Sequence, residues 1–285
     1  MPTTSFLPPP RSPRSGPDWP ARLRRSRRVL VAADFDGTLA PIAPTPEAAA
    51  LLPGMKAALE ALARRTDFRV AIVSGRALRD LQSLCPAAGC WFVGGHGNEP
   101  GAGVEIGSGL ERQRRQQARL ELERLAPEVR QRLAQWPGSR VEVKPYSLAL
   151  HYRQAPEWAG AIQEYFSEVT QSPSGASLRV MQGRLVVELL PADALTKGHA
   201  VQRLRSRLGC DMAFYFGDDT TDEDVFRLHD EHIVGIKIAH GEGGGPTAAE
   251  FALPSPYGVL EALRAIGAAK PAPEKKTLGF LAVQS

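Results

Sequence analysis

Two aspartates one residue apart, Asp34 and Asp36, stand at the end of an unbroken apolar run, Val29-Leu30-Val31-Ala32-Ala33. Alternate residues of an extended chain point the same way, so the two carboxylates can share one face. Like charges at close range resist joint ionisation, and a hard divalent cation relieves that conflict. Mg2+ is the usual cation where carboxylates meet phosphate. A second acidic string, Gly217-Asp218-Asp219-Thr220-Thr221-Asp222-Glu223-Asp224, follows another apolar run, Ala213-Phe214-Tyr215-Phe216. Five acids within seven positions at a strand end exceed what a helix N-terminus or a solubilising face needs. Asp218 can therefore meet Asp34 at one sheet edge and complete an Mg2+ site.

The elements that must position these residues follow from the apolar pattern. Runs 29–33, 68–73, 91–93, 213–216 and 233–239 read as buried parallel strands, and each of the first four ends in small or polar residues. Helices are expected at 54–65 (stripe Met55, Leu59, Leu62), 77–84, 197–208 and 257–267. Strand, helix, strand with polar residues after each strand is the pattern of a Rossmann-like doubly wound α/β sheet, whose ligands lie at the carboxyl ends of the strands. Between residues 109 and 190 the pattern changes. A long charged helix at 110–135, with leucines 120, 122, 125 and 133 toward a partner, precedes strands at 140–143 and 148–152. A helix at 156–170 and strands at 177–181 and 185–190 complete an αββαββ insertion. The expected organisation is a core of 29–108 and 191–268 with an inserted α+β cap of 109–190. The connections near 103–110 and 190–196 would serve as hinges.

Composition narrows the class. No run approaches the roughly 18 apolar residues of a membrane span, and three cysteines read as reduced residues of a cytoplasmic protein. Residues 1–28 carry seven arginines against one aspartate, although the whole chain is only +4. That segment reads as a disordered leader with no apolar signal region, and it alone could suggest nucleic acid. Residues 241–245 read as a flexible loop and residues 269–285 as a loose tail.

Asp34-Phe35-Asp36-Gly37-Thr38-Leu39 resembles the first motif of the haloacid dehalogenase superfamily of phosphatases. The resemblance implies that Asp34 is a nucleophile and Asp36 a general acid/base, with the Asp36 backbone carbonyl joining Asp34 and Asp218 around Mg2+. It further implies that Ser74 holds phosphoryl oxygens and that Lys197 offsets charge on Asp34. Taken with Ser74-Gly75-Arg76, His96-Gly97-Asn98-Glu99 and Gly217-Asp218-Asp219, the chain is similar to the trehalose-6-phosphate phosphatase family from about residue 29 to 265. By that resemblance Glu142, Lys144 and Glu188 contact hydroxyls of the distal glucose. Gly37, Thr38, Arg76, His96, Glu99 and Arg153 join them as substrate-binding residues, and Asp219 and Asp222 back the metal ligands. Phosphate-ester hydrolysis suits this set, because an in-line nucleophile, cations on the phosphoryl oxygens and a proton for the leaving group each have a candidate.

The implied substrate is a small sugar phosphate, with no nucleic acid and no membrane involved, and trehalose-6-phosphate synthase is a possible pathway partner. Sucrose-phosphate and mannosyl-phosphoglycerate phosphatases share the chemistry and remain open. A phosphomutase would pass the phosphoryl group to a second sugar. A dehalogenase would have no need of Asp36. A silent sugar-phosphate sensor would be expected to lose Asp34, Asp36, Asp218 or Lys197, and all are present.

Overall fold

The computed structural model describes residues 19–104, 108–172, 175–183, 185–240 and 246–269. In chain order its elements are α1 Trp19–Arg25, β1 Val29–Ala33, α2 Met55–Ala63, β2 Phe68–Val73, α3 Leu78–Leu84, β3 Trp91–Gly94 and β4 Glu99–Pro100. There follow α4 Gly109–Arg132, β5 Arg140–Lys144, β6 Ser147–His151, α5 Ala159–Gln171, β7 Leu178–Gly183 and β8 Val186–Pro191. The remaining described elements are α6 Lys197–Arg207, β9 Met212–Gly217, α7 Glu223–Phe226, β10 Ile233–Ile238, β11 Phe251–Leu253 and α8 Pro256–Ala268.

The larger sheet has seven strands in the order β11-β10-β9-β1-β2-β3-β4, with β1 at its centre. All pairs are parallel except β3 with β4. The side chains of β1 alternate between two cores. Val29, Val31 and Ala33 pack with α2 and α8, while Leu30 and Ala32 pack with α6. Burial on both faces is why β1 is apolar throughout rather than alternating.

The smaller sheet is antiparallel, in the order β5-β6-β8-β7. One face is covered by α4 and α5, whose Leu122, Leu125, Val129, Ile162 and Phe166 pack on Leu148, Leu150, Val187 and Leu189. Alternation sends Ala149 and Glu188 to the opposite face, and Glu142 pairs in the same row across the sheet. Lys144, two residues beyond Glu142 on β5, lies on that face too.

Three expectations need correction. Residues 19–25 are not part of a disordered leader: they form α1, because Trp19 and Leu23 are four residues apart and share a helix face. Leu23 is buried, Trp19 sets its ring edge-on to Phe214 at 6.2 Å, and Arg22 pairs with Glu250 through two 2.7 Å bonds. Leu120 faces solvent on α4 instead of a partner, since the buried stripe runs through Leu122, Leu125 and Val129. Strands β4 and β11 were not foreseen, being only two and three residues long. Residues 1–18, the 241–245 loop and residues 270–285 lie outside the described residues, as do 105–107 in the first expected hinge.

Candidate active site

The register of β1 sets the site. Ala33 pairs with Ile72 on one side and Phe216 on the other, so Asp34, Ser74 and Asp218 leave three adjacent strands at one edge. The Asp34 backbone N–H donates to Phe216 O at 2.9 Å, and its carboxylate Oδ1 accepts the Phe35 N–H at 2.7 Å. The other oxygen accepts Lys197 Nζ at 2.8 Å. Lys197 opens α6 behind the N-cap Thr196, and its side chain is only 1% exposed. Its ammonium also donates to Asp222 Oδ1 at 2.8 Å. That oxygen accepts the Tyr215 hydroxyl at 2.5 Å as well, and Asp222 Oδ2 accepts the Asp219 N–H at 2.9 Å. Both oxygens of Asp222 are therefore committed to the protein.

Asp218 is held differently. Thr38 Oγ1 donates to its Oδ1 at 3.3 Å, and His240 Nε2 lies 3.1 Å from its Oδ2. A carboxylate only accepts, so the His240 nitrogen carries the proton. Gly37 has φ +72°, and a Cβ there would come within 2.1 Å of Asp218 Oδ2. Glycine is thus required both by the backbone and by the approach of Asp218. Thr38 is fully buried. Gly37 and Thr38, expected at the substrate, are both placed against Asp218.

The charge balance at this edge is negative. Burial pushes Asp34 up to about 8; Lys197 opposes this, and the Asp222 and Asp218 carboxylates add to it. Burial also raises Asp218, more than its bond from His240 lowers it. Lys197 resists the lowering effect of burial because Asp222 and Asp34 flank it, and its net shift is upward. Burial, then the neighbouring carboxylates, push the Tyr215 phenol well above its usual value, so it is a fixed donor. Ligand atoms of Asp34, Asp218 and Asp222 all lie within 4.8 Å of one another. Carboxylate oxygens gathered this closely, with one lysine shared between Asp34 and Asp222, are the hard donors that suit a divalent cation such as Mg2+.

Asp36 is engaged by Arg76. Nε and Nη2 of the arginine each donate to one oxygen of Asp36 at 2.6 Å, and the guanidinium lies over the Phe35 ring at 5.4 Å. Arg76, expected at the substrate, is bidentate on the acid/base candidate. Ser74 is buried, and its carbonyl accepts the His96 N–H at 2.9 Å. His96 has a left-handed backbone (φ 56°), and its ring lies against Gly75, where a Cβ would be 2.3 Å from Cε1.

The polar face of the smaller sheet meets this loop. Lys144 Nζ donates to Glu188 Oε1 at 2.8 Å and to the Gly75 carbonyl at 3.4 Å. His96 Nε2 lies 3.8 Å from Glu188 Oε2. Glu142 accepts from His151 at 2.8 Å and stands 4.0 Å from Lys144. Among the described residues, Glu188 Oε2, His96 Nδ1 and Glu99 Oε1 are buried without a hydrogen bond. Such atoms are costly to leave unpaired and mark places for a hydroxylated ligand or water. Glu99 gives its other oxygen to the Leu78 N–H at 3.1 Å. Arg153 is exposed after β6 and, among the described residues, is bonded to none of the other candidates, so the structure does not bring it to the site.

Residues 32–257 match the sequence profile of the trehalose-phosphatase family. The chain belongs to that family. A trehalose-phosphate phosphatase of Mycobacterium tuberculosis is 37% identical over 242 residues, covering 83% of this chain and 60% of that protein. A second M. tuberculosis protein, described as an uncharacterized glycosyl hydrolase, is 37% identical over 250 residues and covers 85% of this chain. The chain spans only 18% of that longer relative. Among solved structures, the C-terminal domain of Candida albicans trehalose-6-phosphate phosphatase aligns with TM-score 0.70 at 24% identity. It covers 85% of this chain and 93% of that one, and shows the haloacid dehalogenase fold.

In this trehalose-phosphatase family member, sequence reasoning missed three contacts at the site. Tyr215 sits in an apolar run and carries no signal apart from its hydroxyl. His240 follows β10 at a strand end, the one place it could have been looked for. Asn98 is the unassigned position of His96-Gly97-Asn98-Glu99; its buried amide donates to Gly95 O and Leu195 O and accepts the Leu195 N–H. It ties the His96 loop to the segment that leads into Lys197.

Proposed function

We propose that the chain hydrolyses trehalose 6-phosphate to trehalose and inorganic phosphate through an aspartyl-phosphate on Asp34. The observation that carries this reading is the buried contact of Lys197 with Asp34 at the centre of the parallel sheet edge, with Asp36 two residues on. A carboxylate oxygen of Asp34 attacks phosphorus while the bond from phosphorus to the sugar oxygen breaks, and Asp36 gives that oxygen its proton. Asp36 then takes a proton from water, whose oxygen attacks phosphorus, releasing phosphate and regenerating Asp34. Ser74 and Lys197 hold the phosphoryl oxygens. Arg76 orients Asp36, and Asp222 with Asp219 steadies Lys197 and the acidic loop.

Asp34, Asp218 and the Asp36 carbonyl would hold Mg2+, which when bound offsets charge on the phosphoryl group. Asp222 is assigned to Lys197, because its Oδ1 already takes both the ammonium and the Tyr215 hydroxyl and its Oδ2 the Asp219 N–H.

The substrate assignment rests on the relatives named as trehalose-phosphate phosphatases and on the polar face of the smaller sheet. We place residues 29–108 and 191–268 in a catalytic core and 109–190 in a cap that closes over it. Glu142, Lys144 and Glu188 read the distal glucose, with His96 at the seam. Free cysteines accord with a reducing, cytoplasmic setting. A trehalose-6-phosphate synthase would supply the substrate.

The test is phosphate release from trehalose 6-phosphate, sucrose 6-phosphate, glucose 6-phosphate and p-nitrophenyl phosphate, with Mg2+ and with EDTA. Trehalose 6-phosphate should have the highest kcat/KM, and EDTA should silence every reaction until Mg2+ is restored. Preference for another sugar phosphate would overturn the substrate assignment. Release from none of them would point to a sensor.

A further inference from the structure

Tyr215 lies on β9 between Phe214 and Phe216, and alternation sends it to the other face of the sheet. The two phenylalanines join the core beneath α2 and α8, whereas Tyr215 joins the one beneath α6. Its ring is fully buried and meets Phe226 edge-on at 6.0 Å. Packing alone would be served as well by phenylalanine. The hydroxyl, however, ends 2.5 Å from Asp222 Oδ1, the oxygen that also receives Lys197 Nζ at 2.8 Å. The same ammonium reaches Asp34 Oδ2 at 2.8 Å.

We infer that Tyr215 is a positioning residue for the reaction, sharing Asp222 Oδ1 so that Lys197 stays centred between Asp222 and Asp34. A carboxylate oxygen offers two lone pairs, and here one goes to the phenol and the other to the ammonium. Asp222 Oδ2 is already engaged by the Asp219 N–H. Without the phenol, Lys197 is the only partner of Oδ1 among the described residues. In a low-dielectric interior that pair tightens, and the ammonium moves away from Asp34. Charge on the phosphoryl oxygens grows as Asp34 attacks, and that is when a withdrawn ammonium slows the step. Sugar binding, which depends on the smaller sheet, does not pass through Asp222. The loss therefore falls on kcat and leaves KM in place. This inference rests on the reading of Asp34 as the nucleophile.

The test is steady-state kinetics of Tyr215→Phe, Phe226→Leu and Asp34→Asn in the full chain, with thermal melts of each. Tyr215→Phe removes one oxygen and keeps the ring. Its kcat on trehalose 6-phosphate should fall about tenfold with KM within about twofold of wild type. Phe226→Leu disturbs the packing of the same ring without touching Asp222. It should lower Tm while kcat stays within about twofold. An unchanged kcat in Tyr215→Phe, a rise in KM matching the loss, or an equal kcat loss in Phe226→Leu would each overturn the inference. Asp34→Asn separates the two levels. If it is dead while Tyr215→Phe is normal, only the role of Tyr215 falls. If Asp34→Asn still turns over, the nucleophile reading falls and takes this one with it.

Discussion

Lys197 and Lys144 are both buried lysines flanked by two carboxylates, one at the edge of the larger sheet and one on the face of the smaller. Lys197 lies between Asp34 and Asp222, and Lys144 between Glu188 and Glu142. Their partners answer in opposite directions. Burial pushes Asp34 up to about 8 in spite of Lys197, because Asp222 and Asp218 crowd it. Burial raises Glu188 too, but Lys144 and His96 outweigh it and hold that carboxyl well below its usual range. One lysine serves too many carboxylates, and the other pair is balanced. The first region has room for more positive charge, which suits a cation and, only once that cation is bound, an anionic phosphoryl group. The second has its charge settled and keeps unpaired polar atoms, which suits a neutral, hydroxylated ligand.

The comparison breaks first at Asp34. Asp34→Asn should reduce turnover by more than about a thousandfold on every substrate, since it takes an oxygen from the proposed nucleophile. Rapid-quench mass spectrometry of the wild type should find a phosphoryl group on a peptide containing Asp34, and none in the variant. Near-normal turnover in the variant would end the covalent mechanism.

Lys144→Ala should sharpen the comparison from the other side. Losing a buried charged partner costs about 2–4 kcal/mol, or roughly thirty- to a thousandfold in kcat/KM for trehalose 6-phosphate. Slow hydrolysis of p-nitrophenyl phosphate should survive, because that ester lacks the distal sugar. Equal losses on both esters would mean that Lys144 acts on the Gly75 loop alone, through the 3.4 Å bond to its carbonyl.

The smallest effect is one of stability against pH. Glu188 has a folded-state pKa below its unfolded value, so its contribution is fully present above an unfolded pKa of about 4.3 and is lost as pH falls toward the folded one. Glu188→Gln should therefore melt lower than wild type at pH 7, and the gap should narrow once pH drops below about 4.3. A gap constant from pH 7 to pH 3 would mean that Glu188 gains nothing from its charge.

How much of this was legible depends on what each residue must do. Asp34 and Asp218 announce themselves because carboxylates at strand ends interrupt apolar runs, whereas Ser74 in a Ser-Gly turn and Lys197 at a helix start were singled out only by the resemblance. Glu142, Lys144 and Glu188 were singled out through resemblance, and the strand register explains why they share a face. The roles of Arg76 and Thr38 were not, since a side chain's partner depends on distant loops: Arg76 turns to Asp36, and Thr38 to Asp218, 180 positions away. Helix α1 was hidden by the prolines and arginines around it. Strands β4 and β11 are too short for any period to register. Tyr215 was invisible because an aromatic in an apolar strand is ordinarily packing.

The position of β1 also governs the order in which the protein can be built. Its partner on one side, β2, begins 39 residues after it, but its partner on the other, β9, pairs Met212 with Val29. During synthesis one whole edge of β1 stays open while the entire smaller sheet emerges. That sheet, whose strands pair only with one another, can fold meanwhile as a local unit. Closing the larger sheet needs contacts of long sequence separation, which are slow to form and leave strand edges exposed to other chains. The strand that delivers Asp34 is among the first made and among the last to be finished.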